Sequence, residues 1–468
     1  MRLRPLLLAV ALLAAGGCTE SDLSIRVDRG PGRAVPPGGA PPGDADEVVA
    51  IALEDLEAYW ADAMPDLYDT DFEPLRGGYL PFGPDTPLPR CGDEQLRYEQ
   101  VAENALYCPS ADLVAWDRST LIPDLQQRFG PLTVGMVMAH EFAHAVQNRA
   151  DTEAATVTLE LQADCFAGAW VADVDDRIST FASDGDALDQ AVAGLLELRD
   201  TVGVPGFDPA AHGSGFDRVG AFQDGFERGL DACAAYEEDP PEVVAIPFGG
   251  LDDQVTGGNL PLADLLDPLV LDLDAFFGTF VRDGGSRWAP VAEVVLFDPA
   301  DGPILCGDAE IAGDELVDAS FHCVSDRTHY LDGVDLVPSL DEIGDFAVAG
   351  EIARLHAFAA QERLGIDGDD QQLELHADCL AGAFSGAEFD GDVPEVRDRT
   401  ADPVELERRR IEGGLRPQQL RLSPGDLDEV VIAFLAFGGE DAASAFERTA
   451  AFRTGFVDGA GACEAFLG

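Results

Sequence analysis

The segment AHEFAHAVQNR, Ala139–Arg149, holds the densest group of chemically useful side chains in the sequence. On a helix His140 and His144 are four apart, so both imidazoles leave the same face one turn from each other. Two tetrahedral zinc ligands need that separation, and Glu141 between them is placed to act on a water molecule. After a break at Asp151-Thr152, a second helical pattern runs from Glu153 to Val171 and carries Glu160 and Asp164. If the two helices fold antiparallel about Thr152, His144 comes level with Glu160 and His140 with Asp164, because the rise per residue is equal on both. Glu160 is therefore expected as a third ligand. Asp164 is expected to accept the other ring N–H of His140, which fixes the tautomer and orientation of a ligating histidine. Two His and one Glu leave the fourth position open, as in a catalytic zinc site. The chemistry to expect is hydrolysis: zinc polarises a carbonyl and acidifies a bound water, and Glu141 takes the proton as general base and passes it to the leaving amine.

The run HEFAHAVQNR followed by LELQADCFAGAW (Leu159–Trp170) resembles the bacterial neutral zinc metallopeptidase family. The likeness covers most of Val48–Tyr236, and QADCFAG is its most specific part. It implies a zincin-like α+β fold that is mostly helical, one Zn²⁺ and the hydrolysis of peptide bonds. The family's ligand roles fall on His140, His144 and Glu160, and its general base on Glu141. One departure is Trp116, in a short strand-like segment where the family more often has Tyr. Downstream, His212 opens AHGSGFDRVGAF, a Gly-rich loop leading into a helix with Arg218. His212 is a candidate catalytic residue for stabilising the tetrahedral oxyanion, with Arg218 as the alternative for that role; the plain alternative is a loop His and an Arg that pairs with the acidic surface.

The N-terminus bears on compartment. Two Arg in Met1–Arg4, an apolar Leu6–Ala15 and Gly16-Gly17 before Cys18 read as a signal peptide over 1–17; the apolar run is too short to span a bilayer. Small residues before Cys18 resemble a lipobox, so Cys18 is expected to be lipidated, with Ala15 standing where Leu is usual. Residues 18–46 run through Gly, Pro and Asp as a flexible tether. The expected location is the outer face of the cytoplasmic membrane as a lipoprotein, otherwise secreted, with the lipid as the membrane contact.

Eight further cysteines repeat in pattern. Cys91 to Cys108 has the same spacing as Cys306 to Cys323, and each opens with CGD. ELQADCFAGAW (Glu160–Trp170) returns as ELHADCLAGAF (Glu374–Phe384), and AFQDGF (Ala221–Phe226) as AFRTGF (Ala451–Phe456). Blocks in the same order in both halves read as a tandem duplication, a metallopeptidase unit over 47–238 and a second over 242–468, each long enough for a core of its own. The bridges expected in an oxidising compartment are Cys91–Cys108, Cys165–Cys233, Cys306–Cys323 and Cys379–Cys463.

The second unit reads as degenerate. Glu374 and Asp378 match Glu160 and Asp164, but setting Glu351 over Glu141 puts Gly350 and Arg354 in place of the two His. Setting His356 over His144 puts Ile352 and Ala353 over His140 and Glu141, and the spacing from Glu351 to Glu374 exceeds that from Glu141 to Glu160. His356 and His376 are expected at the surface rather than in a makeshift metal site with Glu374.

Composition narrows the partners. With 29 basic and 89 acidic residues the net charge is −60, and every basic residue is Arg. Such a surface repels phosphate backbones, which excludes nucleic acid; a peptide or protein substrate is what the family resemblance implies. A non-catalytic binding or assembly protein on a zincin scaffold is the competing class.

Overall fold

A computed structural model describes residues 24–26, 45–175, 177–199, 213–390, 420–437 and 443–467. The leader, Cys18 and His212 lie outside them. The architecture is α+β and mostly helical, with small sheets. Among the described residues no helix is long and apolar enough to cross a membrane.

In the first half, Ala45–Tyr68 buries Val49, Leu53, Leu56, Trp60 and Met64 along one stripe, the spacing that makes a helix amphipathic. A four-strand sheet accompanies it: Leu113–Asp117 pairs antiparallel with Asn104–Cys108 and parallel with Gly78–Phe82, and Ser24–Arg26 pairs antiparallel with Asn104–Leu106, so this part of the expected tether is a paired strand. The motif helix, Leu121–Ala150, is interrupted at Gly130, whose φ of 80° is followed by Pro131. Glycine alone takes that φ freely, and proline cannot continue the upstream hydrogen bonding, so the functional part of the helix starts afresh there. It ends at Asp151 in the left-handed region. The ligand helix, Thr156–Val174, is buried on almost every face. It begins a few residues later than the sequence pattern indicates, because Asp151 and the next four residues form the connection.

The closing helix, Gly215–Arg228, crosses the ligand helix at backbone contact. A Cβ on Gly225 would lie 1.8 Å from the Cys165 carbonyl oxygen, and one on Gly168 would lie 2.0 Å from that of Phe222. The repeated glycines in DCFAG and AFQDGF are thus the two sides of one crossing. The Cys165–Cys233 disulfide runs from the ligand helix to the short helix that follows.

The second half repeats these elements in the same order. Thr328–Asp332 pairs antiparallel with Ser320–Cys323 and parallel with Glu293–Phe297. The helices Asp345–Leu364, Asp370–Asp390, Asp426–Ala436 and Ala445–Asp458 follow. The crossing recurs: a Cβ on Gly455 would meet the Cys379 carbonyl oxygen at 1.8 Å, and one on Gly382 that of Phe452 at 1.9 Å. Four disulfides, Cys91–Cys108, Cys165–Cys233, Cys306–Cys323 and Cys379–Cys463, all stay within a half, with Cα–Cα distances of 5.5–5.7 Å.

The halves do not have a separate core apiece; one continuous apolar core runs through both. Their contact is reciprocal. Asp428 of the second half accepts the backbone N–H groups of Gly215 and Phe216 at the start of the closing helix. Asp189 of the first half, on the helix Gly185–Glu197, accepts those of Ala445 and Phe446 in the same way. Phe216 packs edge-on against Phe452 and Phe456, and Phe446 against Phe222 and Phe226. Equivalent residues exchange partners across an approximate two-fold, the arrangement of an isologous interface within one chain.

Candidate metal centre

The two helices bring His140, His144 and Glu160 together, with one donor atom from each within 4.8 Å of the others. The Nε2 atoms of His140 and His144 are 3.2 Å apart. Glu160 Oε2 is 3.3 Å from His140 Nε2, and Oε1 is 3.7 Å from His144 Nε2. All three side chains are at most 2% exposed. Ligands about 2.0–2.1 Å from a tetrahedral zinc stand roughly 3.3 Å from one another, so the donor set fits that ion in type and in spacing.

The rings are held from behind. His140 Nδ1 is 2.8 Å from Asp164 Oδ1. His144 Nδ1 is 2.8 Å from Gln147 Oε1. The Gln147 amide is itself oriented, since its Nε2 donates to the Leu159 carbonyl and to Gln162 Oε1. With each Nδ1 facing an oxygen acceptor, the neutral tautomers carry the proton there and turn both Nε2 lone pairs toward Glu160. Asp164 also takes two bonds from Arg218, Nε at 2.8 Å and Nη2 at 2.9 Å. Burial would raise the Asp164 pKa, but Arg218 and then His140 outweigh it and hold the carboxyl well below its usual range. Without a metal, burial opposes a proton on His140, yet Asp164 and Glu160 raise that ring to about 10. Burial lowers His144 to about 4. A cation entering among the donors displaces the proton on His140. Glu141 lies on the motif helix and is fully buried.

Arg218 is 0% exposed and its remaining Nη1 donates to the Leu198 carbonyl. It is committed to Asp164, so the alternative role of oxyanion donor does not suit it. Gln147 and Arg218 were the parts that spacing alone did not single out. Gln147 sits three residues after His144 on the same face, and Arg218 recurs as Arg448 in the second half.

The second half corrects the sequence alignment. Gln361 bonds the Leu373 carbonyl and His376 as Gln147 bonds Leu159 and Gln162. Counting from these glutamines, Arg354 occupies the position of His140, Leu355 that of Glu141 and Phe358 that of His144. The spacing from Gln361 to Glu374 equals that from Gln147 to Glu160, so nothing has drifted; Glu351 is simply one turn earlier. The Arg354 guanidinium lies 2.5 Å from Asp378 Oδ1, 3.2 Å from Glu374 Oε1 and 2.8 Å from Glu351 Oε2. A fixed positive group thus sits where the first half gathers metal donors. Arg448 holds Asp378 as Arg218 holds Asp164. His356 and His376 are buried, not exposed. His356 faces the Ile352 carbonyl and His329, away from Glu374's partners, because its position lies on another face of the helix.

A two-His, one-Glu centre on a helix pair, with a glutamate beside the first His, defines a zinc-hydrolase type of site. Residues 91–236 match the family model described as "Putative neutral zinc metallopeptidase". No curated protein and no solved structure was found to match.

Proposed function

We propose that the chain is an exported, lipid-anchored peptidase whose first half hydrolyses peptide bonds with one Zn²⁺ held by His140, His144 and Glu160. The convergence of three buried donors, each ring locked by an acceptor on its far nitrogen, carries this reading. Zinc bound there supplies Lewis acidity toward a carbonyl and toward water. The protein's own residues do the rest. Asp164 and Gln147 hold the imidazoles in one tautomer, Arg218 keeps Asp164 ionised, and Glu141 moves the proton from the attacking water to the leaving amine. The second half is a non-catalytic counterpart from a tandem duplication. It lacks both His and the base, and Arg354 pairs with the carboxylates that remain. A cavity of about 280 Å³ beside Arg354, lined by Ser320, Gly350, Phe434 and Arg448, survives in it. Export and anchoring rest on the leader and Cys18. A scaffold that binds without cleaving is the competing reading, favoured by the second half's intact fold.

The deciding experiment is hydrolysis of casein or a labelled peptide library by the full-length protein, before and after chelation and after zinc is restored. Activity lost with the metal and regained with zinc supports the peptidase. Peptide binding without turnover in the zinc-loaded protein favours the scaffold.

A further inference from the structure

A second cluster of potential ligands lies in the other half. Asp345 begins the helix Asp345–Leu364, and Asp426 and Glu429 stand in the first turn of Asp426–Ala436. One carboxylate oxygen from each lies within 4.8 Å of the others. Their exposures are 5%, 4% and 8%. Among the described residues, no Arg or His pairs with any of them. Backbone N–H groups of Leu260, Ser423 and Phe346 each take one oxygen, of Asp345, Asp426 and Glu429 respectively. The other oxygen of Asp345, Oδ1, is buried with no hydrogen-bond partner. A carboxylate buried in this way needs a proton, a donor or a cation.

The fold does not require acids here, as the first half shows. Gly344 leaves room for Glu429, since a Cβ there would fall 1.9–2.2 Å from its carboxyl group. Gly130 does the same for Gln190, with a Cβ 2.9 Å from its Oε1. Glu429 therefore stands where the first half has Gln190. Asp345, following Gly344, stands where it has Pro131. Asp426, two before the capping Asp428, stands where it has Ala187, two before the capping Asp189. Three neutral positions have become three acids that face one another.

We propose that Asp345, Asp426 and Glu429 form a binding site for a hard divalent cation, best suited to Ca²⁺ and separate from the histidine centre. The donors are all oxygen, which suits Ca²⁺ and disfavours zinc. Oxygens about 2.3–2.6 Å from a Ca²⁺ stand up to roughly 5 Å apart, so the cluster accommodates one ion. Without it, burial pushes Asp345 up to about 6, and burial together with the neighbouring Asp345 charge pushes Glu429 up to about 8. The ion would tie the start of one helix to the start of another. That second helix carries Asp428, which caps the closing helix of the first half.

The test is calorimetric titration of full-length protein with Ca²⁺ in about 0.5 M KCl, where diffuse binding to the acidic surface is screened. The expected result is one saturable Ca²⁺ per chain and a higher thermal midpoint on binding. Affinity should fall at least about tenfold in Glu429→Gln and in Asp345→Asn, with zinc content unchanged. Glu429→Gln restores the first half's residue, so the fold should be retained; should either variant misfold, the wild-type stoichiometry and midpoint decide. No saturable Ca²⁺ in wild type, or equal affinity in both variants, would overturn the proposal and leave a proton-sharing carboxyl cluster.

Discussion

Asp164 joins a histidine ring to an arginine through one buried carboxylate, whereas Asp378 at the same place joins two arginines. That exchange, Arg354 for His140, together with Phe358 for His144, separates a site that can gather a cation from one that carries its own. Glu141 is the residue on which catalysis should turn. In Glu141→Gln the metal donors and their supports are untouched, so zinc content and thermal midpoint should match wild type. Turnover should fall about 10²–10⁴-fold, the usual worth of a positioned proton carrier. Substantial residual activity in the zinc-loaded variant would assign the base elsewhere. The spacing of His140, Glu141, His144, Glu160 and Asp164 was readable from the sequence because it lies within two consecutive helices with a fixed rise. Arg218 was not, since a partner more than 50 residues away is brought in by packing rather than by period.

At the scale of elements, the ligand helix and closing helix depend on touching backbones. Gly168 and Gly225 face each other's helices with no room for a methyl group. Gly225→Ala should therefore force the pair apart and pull Arg218 from Asp164. The expected cost is about 1–3 kcal/mol in denaturant unfolding, together with weaker zinc retention. Gly461→Ala, where a Cβ meets nothing within 4 Å, is the control and should stay within about 0.5 kcal/mol of wild type. Equal stability of the two variants would show that the crossing is looser than described. The repeated DCFAG and GF blocks were visible in the sequence, but their meaning was not. A glycine required for close approach reads like any other until the facing helix is known. The second half's motif register was misplaced for a related reason: Glu351 drew the alignment, while the true anchor, Gln361, carries no catalytic chemistry.

For the whole molecule, the two halves behave as an interlocked pair. Each supplies the aspartate that caps the other's closing helix, and each covers the other's phenylalanines. Residues 1–241 expressed alone would leave Phe216 and Phe222 exposed and lose the Asp428 cap, itself worth about 0.5–2 kcal/mol. We expect that fragment to self-associate in size-exclusion chromatography with light scattering, and to become soluble as a heterodimer when the second half is co-expressed. A monodisperse monomer with the full-length thermal midpoint would show that the interface is dispensable. The repeated blocks were legible in the sequence. The shared core was not, because the faces that meet are apolar in both halves and would serve a private core equally well.

The central claim is that one half holds a single zinc and the other, with Arg354 in its place, holds none. Elemental analysis of the full-length protein tests it most directly. About one zinc per chain is expected in wild type, almost none in His144→Ala, and the wild-type amount in Glu374→Gln. Zinc retained in full by His144→Ala, or two zinc ions per wild-type chain, would contradict the assignment.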